Sequence, residues 1–206
     1  METKERIIGA AKELFFRLGI RSVTMDDIAN HLGMSKKTLY QHFSDKDELV
    51  DTLVEREIGI MQTEIQSCCF DASNAVEEVL HSMEMSNRHF SNLNPMVLFD
   101  LHKFHFESFK KFTNHKNTFL FEIIRTNIQR GITEGLYRKD INAELLSRFR
   151  LNMLLMPFNM EAFPPAQFNL NEISNAMTEN FLYGLATEKG FEVIESYKQR
   201  KNQHDQ

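Results

Sequence analysis

Residues 24–49 read TMDDIANHLGMSKKTLYQHFSDKDEL. Thr24 and Asp27 have the spacing of a capping box, with the Thr24 hydroxyl able to accept from the Asp27 amide, and apolar Ile28, Ala29 and Leu32 follow. This predicts a helix of about two turns, broken at Gly33. Ser35 is a good N-cap for a second, short helix from Lys36 to His42, on which Leu39 and Phe43 lie four apart and face inward. Ser44 and Asp47 suggest a further capping box, opening a long helix whose stripe is Val50, Val54, Ile58, Met61 and Ile65 and which reaches Cys68 and Cys69. Two helices about a glycine turn, with small Ala29 where they touch, match a helix-turn-helix; a plain helical hairpin meets the same spacing. The outward positions Lys36, Lys37, Tyr40, Gln41 and His42 carry groups suited to phosphates and base edges.

Outward from this stretch, apolar residues recur at spacings of three and four, and almost nothing alternates with a period of two. Ile7, Ile8, Ala11, Leu14, Phe15 and Leu18 make one stripe, ended by Gly19. Downstream, Asp71, Ser73 and Asn74 precede a helix through Val76, Val79, Leu80, Met83 and Phe90. Asn94 and Pro95 mark a break before a Phe-rich piece from Met96 to Phe112. A helix from about Lys116 to Glu134 ends at Gly135, and another, capped by Asp140, runs to Pro157. The last long stripe is Leu170, Ile173, Met177, Phe181 and Leu185. After Gly190 a short segment and a frayed polar tail from Lys198 to Gln206 are expected. The reading is all-α, with no internal repeat of 20 to 50 residues.

The chain of 206 residues is 42% hydrophobic and 26% charged, ordinary for a globular domain and unlike disordered, collagen-like or disulfide-stapled chains. No apolar run approaches the roughly 18 residues that span a bilayer, and the start METKERIIGAAKE is charged and helix-like, so the expected location is the cytoplasm. The only cysteines are adjacent, Cys68 and Cys69, and cannot close a loop; a buried inert pair is expected over a thiol switch. Residues 1–43 hold seven Lys and Arg against five Asp and Glu, a local +2 within a net −5. Any polyanion contact is therefore confined to a mildly basic head on an acidic body.

The stretch 24–49, with a helix before it and a long amphipathic helix after it, resembles the DNA-binding head of the tetracycline-repressor (TetR) family. The likeness is carried by Thr24, Ile28, Ala29, Gly33, Ser35, the run Thr38, Leu39, Tyr40, and then His42, Phe43, Lys46, Asp47, Glu48 and Leu49. It covers about a quarter of the chain; the remainder matches only in general plan. The resemblance implies a helix-turn-helix DNA-binding domain over residues 1–46 and a larger helical effector-binding and dimerisation domain over 47–206. It implies a dimeric regulator, a repressor, not an enzyme, that binds double-stranded operator DNA and answers to a small molecule. By the same resemblance Lys36 and Lys37 enter the major groove, while Thr24, Tyr40, His42 and Lys46 bond backbone phosphates and Ser35 and Thr38 reach phosphates or bases. Lysines read guanine less strictly than arginine, so modest base discrimination is expected.

Of the 18 phenylalanines, 15 fall outside the head, and with the methionines they suit a flat or apolar effector. Met83, Phe99, His102, Phe106, Phe121 and Met153 are the candidate lining, chosen by helix position in the likeness and by chemistry. His102 and His105, three apart, invite an alternative as a small helical metal protein or enzyme; no local cluster completes a tetrahedral set, so no metal and no cofactor is expected. The stripes from Leu145 to Met156 and from Leu170 to Leu185, with Ala176 and Gly184 allowing close approach, have the length for a four-helix homodimer interface.

Overall fold

The computed structural model describes residues 2–204. Its helices are α1 (Thr3–Leu18), α2 (Met25–His31), α3 (Lys36–Tyr40), α4 (Lys46–Asp71), α5 (Ala75–Phe90), α6 (Met96–Phe104), α7 (Phe106–His115), α8 (Phe121–Thr133), α9 (Ala143–Met153), α10 (Leu170–Leu185) and α11 (Glu188–His204). A π-helical turn, Lys116–Leu120, joins α7 to α8, and a 3-10 turn, Met156–Phe158, follows α9. The fold is all-α, with a helix-turn-helix at the N-terminal end and a larger helical part after it. Among the described residues, no helix is long and apolar enough to cross a membrane.

Two compact units form: one from the residues up to Gln62 with Ser91–His115, the other from Thr63–Phe90 with Lys116 onward. The unbroken helix α4 contributes Lys46–Gln62 to the first and Thr63–Asp71 to the second.

In the first unit the stripe of α1 closes over α2, α3 and the start of α4. Ile7, Ala11, Phe15, Ile28, Ala29, Leu39, Phe43, Leu49 and Val50 are buried together, and Leu101 of α6 joins them. Leu18, expected on the α1 stripe, is 49% exposed. On α6, the buried Asp100 accepts a hydrogen bond from the Arg21 backbone N–H (2.8 Å), fixing the turn between α1 and α2. The cap of α4 lies one residue later than expected. Asp45 accepts from the Glu48 amide (2.8 Å), and the Glu48 carboxylate reaches back to the Ser44 N–H (2.7 Å).

In the second unit α5 packs against α8, α10 and α11, and α8 against α9. Its core is Ala75, Val76, Leu80, Ile128, Leu136, Tyr137, Phe181, Leu182, Leu185 and Ile194. Asn142, in extended backbone, caps α9 by accepting from the Leu145 amide (3.0 Å), in place of the expected Asp140. The segment after Gly190 is neither short nor frayed: α11 continues to His204, while the last two residues lie outside the described part. Gly190 serves close approach, since a Cβ there would stand 2.1 Å from the Leu136 carbonyl oxygen. The polar tail is tied down by Lys198 on Glu179 (2.8 Å), Arg200 on Glu77 (2.9 Å) and Lys201 on Glu84 (2.8 Å).

Candidate nucleic-acid interface

The site is built by capping and by one turn. The Thr24 hydroxyl accepts from the Asp27 N–H (3.1 Å) while the Asp27 carboxylate accepts from the Thr24 N–H (2.8 Å) and from its hydroxyl (2.6 Å), a complete capping box at the start of α2. These bonds, the Thr24 side chain's first, hold the Asp27 carboxyl below the usual carboxylate value. After α2 the chain turns at Gly33, with φ +63°, a left-handed conformation that side chains with a Cβ seldom adopt. The Met34 N–H returns to the Ala29 carbonyl (3.0 Å) and closes the turn. Ser35 then caps α3 by accepting from the Thr38 N–H (3.1 Å).

The back of α3 is fastened by Leu39 and, just past its end, Phe43, both buried. Its front is open. Ser35, Lys36, Lys37 and Gln41 are exposed, Tyr40 is 48% exposed, and Thr38 and His42 are half-buried. Lys36 pairs with Asp26 of α2, an exposed contact that keeps the ammonium protonated to higher pH. Such a surface pair is weak enough to exchange for a phosphate. Lys46, at the first position of α4, is half-buried; its ammonium donates to the Ile20 carbonyl (2.6 Å) and lies over the Phe15 ring (5.7 Å). Burial pushes its pKa below the usual lysine value. Thr24, Ser35, Lys36, Lys37, Thr38, Tyr40, His42 and Lys46 all belong to the first unit, on α2, α3 and the start of α4 or the caps beside them.

The profile of bacterial regulatory proteins of the tetR family matches residues 7–53, the span that contains this site. An HTH-type transcriptional regulator of Staphylococcus aureus is 24% identical over 176 residues, 75% of this chain and 94% of that protein. An uncharacterized HTH-type regulator of Bacillus subtilis, YvaF, is 34% identical over 105 residues, 50% of this chain and 55% of its own length. Among solved structures, a TetR-family transcriptional regulator from Agrobacterium tumefaciens superposes with a TM-score of 0.74 at 16% identity, covering 89% of this chain and 97% of that one. Over residues 7–53 the chain carries the helix-turn-helix head of the tetR family of bacterial regulatory proteins.

The six residues expected to line an effector site fall three to each unit. Phe99, His102 and Phe106 lie on α6 and α7 in the first unit, all exposed. Met83, Phe121 and Met153 lie in the second, where Met83 and Met153 both pack against the core. The two histidines of the metal alternative are employed separately: His105 pairs with Asp47, while His102 lies against the Phe109 ring, centroids 4.5 Å apart. Among the described residues no three His, Cys, Asp or Glu side chains gather as a metal set. Cys68 and Cys69 are half-buried free thiols, and burial pushes both upward, Cys69 to about 12, away from the reactive thiolate.

Sequence reasoning passed over three buried charges, Glu78 on α5, Asp100 on α6 and Arg150 on α9. Arg150 left a signal: it falls between Leu146 and Met153, at the positions four before and three after it, on an otherwise apolar stripe.

Proposed function

We propose that this chain is a dimeric one-component TetR-family repressor, whose helix-turn-helix binds operator DNA and whose larger part takes up a small molecule that releases it. The observation that carries the reading is the exposed front of α3, presenting Lys36, Lys37 and Tyr40 while Leu39 and Phe43 lock its back into the core. Lys36 and Lys37 address the major groove, and Tyr40, His42, Ser35 and Thr38 the backbone and neighbouring base edges. Thr24 and Lys46 serve the phosphates from the starts of α2 and α4. The Lys46 ammonium uses one donor on Ile20 and keeps others for an anion. The protein acts in the cytoplasm and catalyses no reaction.

Dimerisation is supported by an exposed apolar stripe on α9, with Leu145 63% and Phe149 55% exposed, and by exposed small residues Ala176 and Gly184 on α10. Two helices from each copy would make a four-helix seam, and two heads are what a two-fold operator requires. Release follows if the small molecule prefers one conformation of the body; a hundredfold preference supplies about 2.7 kcal/mol of coupling.

The test is selection of bound fragments from the source genome, followed by titration of a selected fragment at several salt concentrations. Tyr40→Phe and Lys37→Ala weaken binding, and Lys46→Ala lowers the salt slope by about one unit. Unchanged binding in all three overturns the DNA reading, and a sedimentation mass of one chain overturns the dimer.

A further inference from the structure

The second unit buries a cation that no described residue neutralises. Arg150 lies on the inward face of α9 with 9% of its surface exposed. Its Nη2 donates to the Thr178 Oγ1 of α10 (2.9 Å), its one hydrogen bond among the described residues. The Thr178 hydroxyl donates its own hydrogen to the Ser174 carbonyl (2.7 Å), so its oxygen presents a lone pair to the guanidinium. The guanidinium carbon stands 5.4 Å from the centroid of the Phe181 ring. Among the described residues no carboxylate stands within ion-pair distance of it. Burial lowers its pKa, to about 10, and it remains a cation at neutral pH.

The same unit shows how a half-buried arginine is satisfied when its role is internal. Arg130 of α8 donates to Glu134 (2.7 Å), Glu78 (3.1 Å) and the Ala72 carbonyl (3.1 Å). Arg150 has one neutral acceptor for five N–H groups. A buried charge left so is costly, and it persists where a counter-ion arrives from outside the chain. The surroundings specify that counter-ion further. Leu146 and Met153 flank Arg150 on its own helix face and pack against the cluster that contains Phe181. One cation within apolar walls matches a single negative charge attached to an apolar body; a small, multiply charged anion would be left unpaired there.

We propose that Arg150, oriented by Thr178, anchors the carboxylate of an otherwise apolar small molecule, whose hydrophobic part lies against Phe181, Leu146 and Met153. This rests on the effector reading above and narrows it from an apolar ligand to an apolar monoanion. The planar guanidinium fork supplies the paired N–H donors that a carboxylate takes best.

Calorimetric titration of the full chain with 4-phenylbutyrate and with octanoate, each against its uncharged amide and against inorganic phosphate, tests this. At least one carboxylate is expected to bind ten times more tightly than its amide and than phosphate. Arg150→Met removes that preference, Arg150→Lys retains part of it, and Arg150→Met melts at or above the wild-type temperature because an unmatched charge has left the interior. The proposal is overturned if neither carboxylate binds, if amide or phosphate binds as well, if the preference survives in Arg150→Met, or if that variant melts well below wild type. Fragment binding is measured alongside. Wild type that binds a carboxylate but no DNA leaves the Arg150 site standing and removes the regulator reading, whereas DNA binding without any carboxylate response does the reverse.

Discussion

The two units bury their polar groups differently. In the first, the buried polar side chains are Asp100, Ser108 and His115, all on α6 and α7, and among the described residues none lies on α1 to α4. Asp47, Asp51 and Glu55 repeat every four residues along α4. From α6, α7 and the residue between them, His105 meets Asp47, Ser108 meets Asp51 (3.0 Å), and Lys111 meets both Asp51 (2.7 Å) and Glu55 (2.5 Å). In the second, Glu78, Asn127, Ser147, Arg150 and Thr178 are themselves buried. The Tyr137 hydroxyl donates to the Ala75 carbonyl (3.1 Å) and to the Asn127 amide oxygen (3.3 Å) inside the core. The interior under α1 to α4, filled by apolar side chains, specifies one packing and suits a part that must meet a fixed surface. A polar interior is shaped by its hydrogen bonds, and each unmatched member is a place for something else.

The comparison breaks most easily at its cores. Phe15→Ala, fully buried in the first unit, should cost about 3–5 kcal/mol, and Leu182→Ala in the second about 2–5 kcal/mol. Both are read from urea denaturation; a loss under about 1 kcal/mol at Phe15 would mean that the head's core is loosely packed. Next in size is Gly190→Ala, where the added Cβ meets the Leu136 backbone oxygen and overpacking should cost about 1–3 kcal/mol. Gly59→Ala, on the exposed side of α4 with nothing within 4 Å of its Cβ, should instead gain about 0.4–1 kcal/mol. Equal effects at the two glycines would remove close approach as the reason for Gly190.

Smaller effects sharpen the account of the head. Thr24→Ala removes the capping box and should lower stability by about 1 kcal/mol, measured by thermal denaturation of the protein without DNA. The last concerns acid. The Asp27 carboxyl sits below its ordinary value of 3.8, chiefly through the Thr24 side chain and then its backbone. Its contribution is therefore full above about pH 4 and is lost as the pH falls through the lower folded value. Asp27→Asn should then melt below wild type at neutral pH and converge with it in acid; a constant gap across the range would separate the cap from this ionisation.

Much of the head was legible because its determinants are local. Thr24 with Asp27, Gly33, Ser35, and the inward pair Leu39 and Phe43 each act within four residues, and each stands where the sequence put it. The outward groups Lys36, Lys37, Tyr40 and Gln41 followed, since what a short helix does not bury it must expose, whereas Thr24 and Lys46 came only from the family resemblance. The cap of α4 was displaced by one residue because Ser44, Asp45 and Asp47 are all competent, and Glu48 reaching back to Ser44 chose among them. Gly190 was read only as the boundary before a short segment, because a glycine needed for contact and one that marks a break look alike in sequence.

Helix periods and caps thus settled that the chain is all-α and that two short capped helices about a glycine turn stand near its start, because these depend on neighbours along the chain; the family resemblance chose a helix-turn-helix over a plain hairpin. Which distant residues meet was decided only in three dimensions. Asp100 holds the Arg21 backbone from 79 positions away, and Arg150 finds Thr178 28 positions on. A charge on an apolar stripe shows in the sequence, but whether a partner awaits it depends on packing between helices, which no local pattern encodes.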